Sequence, residues 1–294
     1  MIRRTFMGAA AGLAAAPFAL TAEPKSPRKK LAIVTTEWRY RSHAWHMGER
    51  FLAGYPVDGH WHRPPFDVVS AYVDQVPKND LSRDRAKEFG FKIYPSIAEA
   101  LRCGGAELAV DAVLVIGEHG DYPVNKFGQT QYPRYEFFKK CVEVFEKDGR
   151  VVPMFNDKHL SWNWDWAKQM YDTAKKLKIP LAAGSSLPVT WRMPAIDMPL
   201  GAEVEEMMCL AMGRVDSYDF HALEVIQCMA ERRKGGETGV KSMHAMRGEE
   251  VWRAMADKAW NSGLFEACLC RTQTLSQIET HSHRFPTTES MKTW

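Results

Sequence analysis

The chain has 294 residues, 45% of them hydrophobic and 26% charged, with a formal net charge of +3. This balance excludes a fibrous, disordered or multi-span membrane protein, and the length allows one large domain or two modest ones. The charge is uneven: residues 1–30 hold six basic side chains against Glu23 alone, which leaves −2 for the rest and no bulk positive charge for nucleic acid.

Residues 1–22, MIRRTFMGAAAGLAAAPFALTA, resemble a twin-arginine export signal. Arg3-Arg4-Thr5-Phe6 fits R-R-x-F, and the Ala/Gly-rich run from Phe6 to Leu20 is shorter than the roughly 20 residues of a membrane span. An exported, periplasmic protein with no stable membrane span is expected. Residues 23–30 read as a polar linker. Twin-arginine export carries folded proteins, so the six cysteines are expected to be incidental thiols rather than disulfides.

The predicted elements then alternate. Strands are expected at 31–36, 66–74, 91–95, 111–117, 150–156 and 179–186. Helices are expected between them, at 42–52, at 80–90 with Asp80 or Ser82 as cap and Gly90 as stop, from Ser96, at 132–149, and at 161–178 capped by Ser161. Strands apolar throughout, separated by amphipathic helices, predict a doubly wound, Rossmann-like parallel sheet over 31–186. Residues 187–294 are expected to form a short, incomplete α/β second domain. Its expected elements are a proline-rich crossing (187–201), a strand or helix at 203–213, a helix at 221–236, a strand-like 240–248 and a helix at 249–263.

In an open parallel sheet, ligands bind beyond the carboxyl ends of the strands. Those positions carry Glu37 to His46, Asp74, then Glu118, His119 and Asp121, then Asp157, Lys158 and His159, and finally Ser185 and Ser186. Such convergence of ionisable groups predicts a site on one rim.

The segments 68–101, 111–123, 148–159 and 217–236 together resemble the glucose–fructose oxidoreductase / inositol dehydrogenase / MocA (Gfo/Idh/MocA) family. DGRVVPMFNDKH is similar to that family's G-K-h-V-x-c-E-K-P, and SYDFHALEVIQCMAERRKGG to its D-x-G-x-H motif. The resemblance implies an oxidoreductase using NAD or NADP on a sugar-like or polyol substrate, and it admits a homo-oligomer. It implies that Lys158 polarises the reacting hydroxyl and that His221 is the base. It implies cofactor contacts from Thr36, Arg39, Arg41, Asp74, Glu118 and His119, with Asp74 at the ribose hydroxyls. The chain departs from the family where a G-x-G-x-x-G turn is normal: TTEWRYRSH (35–43) has no glycine. Asp157 and His159 replace the motif's glutamate and proline, and Ser217 replaces its aspartate.

Two rival expectations come from these departures. One is a non-catalytic sugar-binding or scaffold protein with exposed aromatics among Trp162, Trp164 and Trp166. These cannot share one helix face. The other is a metal site from rim residues such as His43, His46, His119 and Asp121, with His60 and His62 nearby in an extended loop.

Overall fold

A computed structural model describes residues 27–193 and 195–271 of the chain. The export segment 1–22 and the polar end of the chain lie outside the described residues. The first half alternates strand and helix: β1 (Lys29–Thr35), α1 (His43–Leu52), β2 (Tyr55–Val57), β3 (His60–His62), β4 (Phe66–Val73), α2 (Ser82–Phe89), β5 (Lys92–Tyr94), α3 (Ile97–Arg102), β6 (Ala112–Ile116), α4 (Arg134–Lys147), β7 (Met154–Asp157), α5 (Trp164–Leu177) and β8 (Leu181–Gly184). Three helices follow: α6 (Val215–Ala230), α7 (Glu249–Ala256) and α8 (Ser262–Leu269).

Six strands form one parallel sheet in the order β5-β4-β1-β6-β7-β8. That is the doubly wound arrangement, with its switch point between β1 and β6. Both faces are covered, which explains the continuous apolar runs. Ala32 and Val34 of β1 pack into the cluster with α3, α4 and α5, while Leu31 and Ile33 pack into the cluster with α1 and α2. Each of these faces buries aromatic rings: Phe137, Phe138 and Phe145 on one, Trp38 and Phe91 on the other.

Local chemistry sets the boundaries. Ser42 and Ser96 cap α1 and α3 through their hydroxyls, and Gly90 ends α2 in the left-handed region. Helix α2 has neither expected cap, because Ser82 turns its hydroxyl to the Asp80 carboxylate. Helix α5 is capped by Asn163 rather than Ser161, and β7 starts only at Met154, after Pro153. The stretch holding His60 and His62 is no loop. Asp58 and Gly59 both take positive φ and close the antiparallel β2–β3 hairpin.

The strand-like expectations in the second region are corrected by the structure. Among the described residues, no strand follows Gly184, and neither 203–213 nor 240–248 is regular. Helix α6 starts six residues before the expected helix and ends before the Gly235-Gly236 pair. No helix of the described residues is long and apolar enough to cross a membrane. All six cysteines are free.

Candidate functional site

The strand ends converge as the alternation predicts. At the switch point, Thr36 Oγ1 donates to the Glu118 carbonyl at 2.6 Å, so the chain after β1 is fixed to the chain after β6. Glu118 is buried and takes two cations: Lys158 Nζ at 3.0 Å and the guanidinium of Arg134, itself fully buried. Burial alone would raise the Glu118 carboxyl, but Arg134 and Lys158 outweigh it and hold the group below its usual value. Gly117 makes room for this arrangement, since a Cβ there would sit 2.6 Å from Arg134 Cγ.

Lys158 adopts a left-handed backbone at the end of β7, at φ 64°, and this aims its neighbours into the rim. Before it, the buried Asp157 carboxylate meets His43 Nδ1 at 2.6 Å. After it, His159 Nε2 accepts from Arg134 Nη1 at 3.2 Å and stacks edge-on to Phe220. Burial and Arg134 push His159 down to about 3, and burial and His43 push His119 down to about 4. Both imidazoles are therefore neutral near pH 7.

Helix α6 closes the rim from above. His221 Nδ1 lies 2.5 Å from Ser185 Oγ, and the Glu224 carboxylate accepts the Ser185 amide at 3.3 Å. Burial, then the charges of Lys158 and His43, lower His221. Asp216 accepts from the Thr130 amide at 3.0 Å. Between α6 and the sheet lies a small cavity lined by Glu118, Thr130, Tyr132, Lys158, His159, Asp216 and Ser217.

The two residues expected to do chemistry, Lys158 and His221, thus face the same rim. Most of those expected to hold a dinucleotide are already engaged. Asp74 has a tyrosine hydroxyl on each carboxylate oxygen, Tyr72 at 2.6 Å and Tyr122 at 2.7 Å. Gln75 clasps the Asp121 backbone through both its amide atoms. Arg39 pairs with the buried Glu37, His119 packs against His43, and Arg41 is left exposed on the loop tip. The glycine-free turn folds inward: Trp38 is fully buried, stacked on Phe91, and fits only because α1 has Gly48 against its ring. The turn after β1 therefore lacks the glycine nest that this fold normally offers a phosphate.

The metal expectation is corrected. His43 and His119 come together with ring centroids 5.1 Å apart, but His46 stacks on Trp45 and Asp121 is exposed. Among the described residues no three His, Cys, Asp or Glu side chains form a metal-holding group. Of the tryptophans, Trp162 and Trp166 pack edge to face and Trp166 stacks on Tyr135, leaving Trp164 77% exposed. Arg134, Tyr122, Thr130 and Glu224 had no local signal; each matters through partners 16 to 86 residues away.

The fold is of the dinucleotide-binding, doubly wound class. No family model and no curated protein matches the chain. Solved structures it is similar to include oxidoreductases. One is a Gfo/Idh/MocA family oxidoreductase from Vibrio cholerae, at 19% identity over 54% of this chain and 39% of that one, TM-score 0.35. A dehydrogenase from Clostridium difficile is 14% identical over 53% and 39%, TM-score 0.34. Biliverdin reductase from Synechocystis, solved with biliverdin and NADP+, is 14% identical over 70% and 57%, TM-score 0.35. The chain spans well under two thirds of each. At these scores the fold assignment rests on the strand order itself.

Proposed function

We propose that the chain is an exported enzyme of oxidoreductase type acting on a hydroxylated, sugar-like substrate, with Lys158 and His221 at the reacting hydroxyl. The observation that carries this reading is the placement of Lys158, a buried ammonium held at the strand ends by Glu118 on the rim where His221 is bonded to Ser185. With Nδ1–H donated to Ser185 Oγ, which also accepts from the Leu187 amide, His221 leaves Nε2 to take a hydroxyl proton. Lys158 stabilises the oxygen as negative charge grows on it. The fold supports NAD or NADP as the accompanying cofactor and the first turn does not, so the proposal stands on the acid–base residues. Export is supported by the resemblance of Arg3-Arg4-Thr5-Phe6 to a twin-arginine signal. Self-association is supported by the exposed Trp191, Met193, Leu200, Val240 and Met243.

A second reading, a protein that binds the same ligands without turnover, is favoured by the two tyrosine caps on Asp74. One titration separates the two. D-glucose, D-fructose and myo-inositol are added with and without NAD or NADP, and melting temperature and tryptophan fluorescence are followed. A polyol response lost in Lys158→Met, and enlarged by either nucleotide, is the expected result. Polyol binding indifferent to both nucleotides leaves the binding-protein reading. No response to any of the five compounds overturns both.

A further inference from the structure

We propose that His43, oriented by Asp157, is a second general base of this rim. Asp157 is its positioning residue. The inference shares its site with the reading above but stands on separate geometry.

His43 opens α1 and Asp157 ends β7, 114 residues later. Strand β6 lies between β1 and β7 in the sheet, so the pair bridges over the end of β6, beside the switch point. The carboxylate is buried, and its Oδ2 lies 2.6 Å from His43 Nδ1. A carboxylate only accepts, so the imidazole donates Nδ1–H and keeps its lone pair on Nε2. The His43 side chain is 29% exposed, so part of the ring is open to solvent. Neither neighbouring histidine has this combination. His159 already uses Nε2 to accept from Arg134, and His119 is pressed against the His43 ring with its own Nε2 buried.

The electrostatics explain why the carboxylate is needed. A cation at a helix N-terminus faces the positive end of the dipole. Asp157 is the carboxylate bonded to the ring, and it stabilises an imidazolium formed there. In the step proposed, the substrate O–H breaks, an Nε2–H bond forms, and the imidazolium is held between Asp157 and solvent until the proton leaves to water. No electron changes hands in it.

The test needs no substrate. Histidine nitrogen NMR on the full chain at mildly alkaline pH, assigned with His43→Gln, reads the tautomer. His43 is expected with its proton on Nδ1, and Asp157→Asn is expected to move it to Nε2, because an asparagine amide can donate to Nδ1. Diethylpyrocarbonate is expected to label His43 while His119 and His159 stay unlabelled. A proton on Nε2 in the unaltered protein, a tautomer indifferent to Asp157→Asn, or a His43 inert to the reagent overturns the proposal. If Asp157→Asn does not fold, tautomer and labelling in the unaltered protein still decide. A correct tautomer with no polyol response in the titration above removes the substrate class and leaves the dyad.

Discussion

Helices α4 and α6 are similar in length and opposite in environment. Helix α4 buries seven of its 14 residues against the sheet, whereas α6, with 16, buries none. The contrast extends along the chain. The buried side chains all lie at or before Ser185, and no described residue beyond it is buried. Yet the second region is not polar: Trp191 is 88% exposed and Val240 86%. A sheet covered by helices on both faces completes its own core, while α6 gains its placement from a few ties to the rim. Those ties are His221 to Ser185, Glu224 to the Ser185 amide, Asp216 to the Thr130 amide and Phe220 to His159. The placement of α6 therefore depends on the site.

The largest effect that could break this comparison is a matched pair of truncations. Phe145→Ala empties a fully buried position and is expected to cost about 3–5 kcal/mol in urea unfolding. Leu223→Ala, on a helix with no buried residue, is expected to cost no more than about 0.5 kcal/mol. A loss above about 2 kcal/mol at Leu223 would mean that α6 has a core of its own, through self-association or otherwise.

Acid should strike the rim next. His119 and His159 have folded pKa values pushed down to about 4 and about 3, by burial first and then by His43 and Arg134 respectively. The unfolded chain takes up those two protons near pH 6.5 while the folded one does not, so stability falls as pH drops through 6.5 and on toward 4. Roughly 2–3 kcal/mol is expected to disappear between pH 7.5 and 5.5, with His159→Gln removing about half of that slope. A stability flat down to the carboxylate range would show that these imidazoles are not held neutral.

The same contrast explains what could be read from the sequence. DAVLVIG was legible because every residue of β6 is buried, and Ser96 and Gly90 mark helix ends by local bonding. The hairpin at 55–62 had its signal in Asp58-Gly59, which sat among histidines that invited a metal reading. Period-based reading assumes that apolar residues mark a buried face. That assumption fails for 203–213 and 240–248, where Met243 and Val240 point to solvent. The rim was legible as a set of strand ends, but its pairings were not. Nothing local connects His43 with Asp157, which only the sheet order brings together, and Arg134 meets Glu118 through the fold of the loop between β6 and α4.

The smallest effect addresses the ties directly. Asp216 sits in the first turn of α6, where a carboxylate favours the helix dipole, and its Oδ2 takes the Thr130 amide. Asp216→Ala removes both contributions and is expected to cost about 1 kcal/mol. If α6 is held by the rim rather than by a core, hydrogen exchange should quicken several-fold in α6 and at Thr130 while β6 amides keep their rates. If α6 and β6 amides quicken together, the two regions unfold as one unit. The missing burial beyond Ser185 would then say little about how the second region is held.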